Sequence, residues 1–225
     1  MKAMTPLSLL AFFLLVLLLP LLFGGLMAAS LEKLHLSSGA ALFVTLAIFL
    51  GSVLNIPVKR IPHNLPVSRH PLAVWGLDEI WPALRSESRE TVIAVNVGGC
   101  VIPTALALWE LLHIAAVGGR PLVGVVIASA VNIFICRRIA RPVPGVGILL
   151  PGLVPAFSAA LLAILLAPGN AAPVSFVAGV AGPLVGADLL HLGEIERSAT
   201  GVASIGGAGT FDGIVLSGIV AAYLA

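Results

Sequence analysis

Apolar residues run along this chain in blocks close to the roughly 20 residues needed to cross about 30 Å of hydrocarbon, with polar residues gathered between them. The blocks cover Pro6 to Ala29, Gly39 to Pro57, Thr91 to Ala116, Pro121 to Cys136, Ile148 to Pro168, Ala171 to Leu192, and Ile205 to the end. This pattern predicts an all-α, polytopic membrane bundle of about seven transmembrane helices, forming a single domain over residues 1–225. Lys2 and the small residues Ala28, Ala29 and Ser30 imitate a signal peptide. The first apolar block is longer than a signal sequence's core of about 7–15 residues, so a retained anchor is expected, with cleavage as the alternative.

The one long connection, residues 58–90, holds the proline-interrupted run from Lys59 to Pro66. After it, Leu77, Ile80, Trp81 and Leu84 repeat at helical spacing opposite Asp78 and Glu79, predicting an interfacial amphipathic helix within Leu72 to Leu84. Seven crossings put Lys2, Lys59, Arg60, Arg69, Arg85, Arg89, Arg137, Arg138, Arg141 and Arg197 on one side, and only Lys33 and Arg120 on the other. Basic loops stay in the cytoplasm, so this asymmetry predicts a cytoplasmic N-terminus and a cytoplasmic 58–90 loop. Trp109 and Tyr223 then fall near the outer boundary.

Composition agrees with a multi-pass protein of the cell membrane whose surroundings are the lipid bilayer: 59% of residues are hydrophobic, 10% are charged, and mean hydropathy is +1.13. The net charge of +2 is too small, and its basic residues too dispersed, for nucleic-acid binding. Cys100 and Cys136 lie in apolar blocks and read as small buried hydrophobes. No cofactor is indicated, and the oligomeric state is left open.

Three acids stand inside apolar blocks, where a carboxylate costs several kcal/mol, roughly. Glu110, with His113 one turn on, sits near the outer end of its helix, so snorkelling or a structural hydrogen bond accounts for it. Asp188 and Asp212 are placed differently. Helical rise puts Asp188 about 6 Å and Asp212 about 10 Å inside the cytoplasmic ends of consecutive antiparallel helices, while Asn96 and Asn132 each lie about 8 Å in on two others. One polar layer near the cytoplasmic face is therefore expected, with Asp188 and Asp212 as the reactive pair and Asn96, Asn132 and His191 as binding residues.

Glycines surround this layer. Gly209 with Gly213, and Gly182 with Gly186, have the spacing that lets membrane helices approach closely. Gly186 is about 200° around the helix from Asp188, so that pair is expected to meet a different neighbour. The runs Asn96-Val97-Gly98-Gly99 and Gly206-Gly207-Ala208-Gly209 predict broken helices, whose backbone must be buried or line a cavity open to the cytoplasm.

The stretches Asn96 to Gly99, Gly186-Ala187-Asp188-Leu189-Leu190, and Gly206 to Gly213 resemble an uncharacterised prokaryotic membrane family, domain-of-unknown-function family 1614, over roughly Glu90 to the C-terminus. The resemblance brings no established activity. A looser one is to the Gly-x-Gly-Asp intramembrane aspartyl proteases, which place one aspartate on each of two helices. Here Asp212 follows Gly209 by three positions, no tyrosine precedes Asp188, and the Pro82-Ala83-Leu84 triplet lies upstream of both aspartates instead of after the second.

Two functions compete. Asp188 and Asp212 would form the dyad of a peptidase cutting a membrane-anchored protein substrate, since two carboxyls in contact share one proton and supply acid and base together. The same acids, with the asparagines, would instead bind a small cation or relay protons in a transporter or channel. A metal site of Asp188, His191 and Asp212, and an assembly subunit whose acids satisfy partner helices, complete the alternatives.

Overall fold

The computed structural model describes residues 18, 21–62, 90–143, 147–197 and 202–225. Each of the seven apolar blocks contributes a helical segment. Three of these, Val97–Val117, Gly119–Ile139 and Pro168–Glu194, are long and apolar enough to cross a membrane; Leu21–Glu32, Ser38–Gly51, Leu153–Leu166 and Gly213–Leu224 are apolar and shorter. The start of the first block and the interfacial helix expected within Leu72 to Leu84 lie outside the described residues. The α-helices are α1 (Leu21–Glu32), α2 (Ser38–Gly51), α3 (Ile102–Val117), α4 (Gly119–Ile139), α5 (Leu153–Leu166), α6 (Ala171–Ala181), α7 (Leu192–Arg197) and α8 (Gly213–Leu224).

Packing is inverted relative to a water-soluble bundle. On α5 the small residues Ala156, Ala159, Ala160 and Ala163 are buried at helical spacing, while Leu153, Phe157, Leu161, Ile164 and Leu165 are exposed. On α4, Ala128 and Val125 face inward, and Val123, Val126, Ile127 and Phe134 outward. Without a hydrophobic drive between helices in lipid, small residues are what allow close contact, and the large apolar side chains face out. Helix α6 is the axis, buried almost throughout and touching α3, α4, α5 and α8. Gly179 of α6 lies against Ser217 and Gly218 of α8, where an added Cβ would come within 2.8 Å of the Ser217 carbonyl oxygen.

The all-α expectation is corrected by two small sheets. Strands β1 (Asn55–Pro62), β2 (Glu90–Asn96) and β5 (Val202–Ile205) form one sheet in the order β1-β2-β5; β3 (Arg141–Val143) and β4 (Gly147–Leu149) form the other. Strand β2 runs antiparallel to β1 and parallel to β5, with Asn96 opposite Asn55 and Val95 opposite Ile205. The stretch Thr91-Val92-Ile93-Ala94-Val95 is rich in β-branched residues, which favour extended backbone. Its apolarity had merged it with the third helix. Pro57 and Pro62, which would break a helix, likewise place the end of the second block in β1.

Helix ends at the opposite pole from this sheet are closed by the two basic residues assigned to the outer side. Lys33 Nζ donates to the carbonyl of Tyr223 at 2.6 Å, and Arg120 donates from Nε to Leu166 O at 2.7 Å and from Nη2 to Leu165 O at 3.1 Å. Each places a positive charge at a helix C-terminus, where the macrodipole and the unpaired carbonyls favour it.

Gly179→Ala should lower stability by about 1–3 kcal/mol, because the obstacle is backbone and cannot rotate away. Gly169→Ala, with open space around the position, should be neutral. Thermal unfolding of the two variants in detergent checks this; equal midpoints would contradict the α6–α8 contact.

Candidate functional site

Three chain breaks converge at the sheet end of the bundle. The first is the π-helical turn Val97–Val101 between β2 and α3, the second the π-helical stretch Gly182–Asp188 that ends α6, and the third the turn from Gly206 through Gly209–Phe211 into α8. The sequence anticipated the first and third as glycine-weakened helix; the π-helical stretch Gly182–Asp188 was read only as a close-packing glycine pair.

What joins them is bare backbone. A Cβ on Gly99 would collide with the carbonyl of Gly206, and one on Gly206 would lie 2.6 Å from the carbonyl carbon of Gly99. Gly98 packs against Ile48 O and Ser52 of α2 and its C-terminal turn, and a Cβ added at Gly209 would lie 2.6 Å from Ser52 Cβ. Gly206 and Gly209 also have φ of 70° and 63°, a conformation that side chains disfavour. Ser52 Oγ donates its one proton to Ile48 O at 2.6 Å, so the hydroxyl of Thr210, 2.8 Å away, donates to Ser52.

Asp188 and Asp212 both lie beside this turn, within electrostatic range of each other. Asp212 is the N-cap of α8: Oδ1 accepts from Ile214 N at 3.0 Å and Oδ2 from Ala208 N at 3.3 Å. Asp188 accepts from the backbone of Gly206, and its carboxylate lies within electrostatic range of Asp212. Cys100, buried at the end of the first turn, feels both charges. Asp212 therefore does not lie inside a helix, as counting from Ile205 had placed it; the residues before it are strand and turn. Gly209 and Gly213 do not share a helical face for the same reason.

The asparagines do not join the aspartates. Asn96 caps the first turn, its Oδ1 accepting from Gly99 N at 2.7 Å and its Nδ2 donating to Ser52 O at 2.8 Å and Asn55 Oδ1 at 3.1 Å. Asn55 Oδ1 also accepts from Ser204 Oγ at 2.6 Å, which ties β1 to β5. Asn132 donates to Ala178 O at 2.8 Å and accepts from Ser158 Oγ at 2.6 Å, linking α4, α5 and α6. In place of the expected four-residue layer, the two asparagines belong to two separate bonding networks, neither of which includes Asp188 or Asp212. His191 bonds through Nδ1 to Ala187 O at 2.8 Å, one turn back. Among the described residues, no three His, Cys, Asp or Glu side chains are placed to hold a metal ion.

Gly182 and Gly186 do meet a different neighbour, packing against Asn132, Ile133 and Cys136 of α4. Cys100 and Cys136 are free and buried, as their setting implied. Glu110 does not snorkel: its side chain is fully buried and its partner is His35, with Oε2 3.1 Å from His35 Nδ1. Sequence reasoning missed Ser52, Thr210 and Asn55. A polar residue next to a glycine run was the available signal, but the partners are far apart in the chain.

The pattern defining the family described as "Protein of unknown function (DUF1614)" matches residues 49–224. The chain belongs to this family. The DUF1614 match begins well before Glu90, where the resemblance had started, and so takes in Ser52 and Asn55 together with every other residue of the aspartate site. No curated protein and no solved structure matches the chain.

Gly206→Ala should be among the most damaging single substitutions in this DUF1614 protein: positive φ costs a non-glycine residue about 1–3 kcal/mol, and the added Cβ overlaps the Gly99 backbone. Gly193→Ala, which meets nothing, should be tolerated. Yield of folded monodisperse protein and its melting temperature distinguish the two.

Proposed function

We propose that this chain is an intramembrane aspartyl-type peptidase, built as a seven-crossing bundle in the cell membrane with a cytoplasmic N-terminus. Its substrate is a membrane-anchored protein cut near the cytoplasmic face. The observation that supports this reading is the electrostatic proximity of Asp188 and Asp212 beside one glycine turn, with backbone N–H donors at each. Like carboxylates at short range do not both ionise, so the pair holds one proton at working pH.

The chemistry follows from that shared proton. Asp212, with two backbone donors against one for Asp188, carries the charge and takes a proton from water as its oxygen attacks the scissile carbonyl carbon. Asp188 gives its proton to the carbonyl oxygen. When the tetrahedral diol collapses, the C–N bond breaks, the leaving amine takes the proton held by Asp212, and one diol hydroxyl returns a proton to Asp188, which leaves a carboxylic acid and restores the dyad. Strand β5 supports a peptide substrate, because its outer edge has no strand partner among the described residues and leads directly into Gly206. An extended segment added there would bring main-chain carbonyls toward the acids.

Cation or proton transport is the second reading, favoured by the breaks at Gly182–Asp188 and Gly206–Asp212, since interrupted helices with acids at their ends are where coupling ions bind.

Asp188→Asn and Asp212→Asn should each reduce cleavage of a membrane-anchored reporter by roughly 100-fold or more, the usual worth of a positioned acid or base. Wild-type cleavage surviving in either variant removes the peptidase. Proteoliposome flux that is lost in both variants, with no cleavage in the wild type, selects transport.

A further inference from the structure

The strongest feature that the aspartate site does not use is at the other end of α3. Glu110 lies about 15 Å along the helix from Cys100 at the rise of an α-helix, and its side chain is fully buried. Oε2 faces His35 Nδ1 at 3.1 Å, while Oε1 is buried with no hydrogen-bond partner. A carboxylate in this position carries a charge whose one hydrogen-bonded partner is the His35 imidazole, with His113 within electrostatic range. His35 itself is half-exposed, with 46% of its side chain accessible. It lines a cavity of about 270 Å³ bordered by Lys33, Pro168, Asn170 and Pro173.

We propose that His35 and Glu110 form a proton-exchange site, in which His35 passes protons between water in this cavity and the buried carboxyl. A proton arriving at Nε2 of His35 makes an imidazolium. That ring then gives its Nδ1 proton to Glu110 Oε2, leaving a neutral imidazole protonated at Nε2 and a neutral carboxylic acid. One proton has been taken up and no net charge stays buried. Return of the proton to Nδ1 and loss of the one on Nε2 reverse the step.

The surroundings fit this exchange. His35 is the one non-glycine residue with positive φ among those described, at 36°. It sits in the turn between α1 and α2, where fully buried Leu34 anchors the chain. His113 stacks on it with centroids 5.6 Å apart and 13° between planes, and is itself fixed by Trp109. Because His113 Nδ1 lies 2.9 Å from the Trp109 carbonyl, that nitrogen carries the hydrogen, and the π-face turned to His35 favours a transient imidazolium.

The other ionisable groups nearby are already engaged. On the elements packed against α3 these are Arg120 at the start of α4, bonded to the carbonyls of Leu165 and Leu166, and Tyr223 on α8, under the Lys33 ammonium. Lys33 bonds to the Tyr223 carbonyl, and α2 and α6 carry no acid, base or histidine. His113, which also lies within electrostatic range of Glu110, is held by Nδ1 to the Trp109 carbonyl, and His35 is the imidazole in hydrogen-bond contact with the carboxyl.

The test is infrared difference spectroscopy of the full chain in phosphatidylcholine vesicles during a pH step across the range where histidine titrates. Wild type should show a protonated-carboxyl band that appears on acidification. Glu110→Gln should lack it, and Glu110→Asp, which keeps an acid, should move it. His35→Asn should retain the band while slowing its rise by roughly tenfold or more, as expected when a positioned proton carrier is lost. A wild-type spectrum without the band, a band surviving in Glu110→Gln, or an unchanged rise in His35→Asn overturns the proposal. The band should persist in a chain carrying both Asp188→Asn and Asp212→Asn, so this result and the fate of the peptidase reading are separable.

Discussion

The backbone of Gly99 rests on that of Gly206 with no space for a side chain on either, and the arrangement of the site depends on that contact. It holds the turn after β2 against the turn before α8, which sets β5 parallel to β2 and aims the Gly206 N–H at Asp188. It also leaves α8 to begin at Gly213 instead of at Ile205, so Asp212 becomes its cap. Backbone groups released by these breaks are re-used: the Asn96 side chain takes the Gly99 N–H, and Asp212 takes those of Ala208 and Ile214. Irregular backbone in an apolar setting is tolerated only when its polar groups find partners in this way.

Around this contact the bundle is held by small residues. Alanines line the buried face of α5, glycines let α6 approach α4 and α8, and the large side chains point away from the interior. Such an interface gains from van der Waals fit and hydrogen bonds more than from removing apolar area from water. Asn132 contributes one of those bonds, reaching from α4 to the Ala178 carbonyl while Ser158 of α5 donates to it. Its role is to lock three helices together, which explains why a buried amide stands apart from the aspartates.

The two ends of the molecule solve opposite electrostatic problems. At the sheet end, two carboxylates lie within electrostatic range of each other and are supported by N–H donors. At the far end, Lys33 and Arg120 close the C-termini of α8 and α5, and a buried carboxyl, Glu110, is hydrogen-bonded to His35 with His113 stacked on that ring. Helix α3 runs between them, with Cys100 near the acid pair at one end and Glu110 near the other.

Local chemistry by itself determined where the chain is apolar, and therefore where the seven helical segments fall, because burial of backbone in lipid demands long uninterrupted apolar runs. It also determined where helices break, because Gly98-Gly99 and Gly206-Gly207 weaken them whatever surrounds them, and it singled out Asp188 and Asp212 as acids costly to bury. The strand Thr91 to Asn96 was beyond its reach, since an apolar β-branched run adjoining a helix has no period of its own to mark the change. Only the tertiary structure decided that Asp212 is a cap, that Asn96 pairs with Ser52 and Asn55, and that Glu110 pairs with His35. Each of those pairings joins residues distant in sequence, and which distant groups meet is set by the glycine contacts and the crossing of helices, not by spacing along the chain.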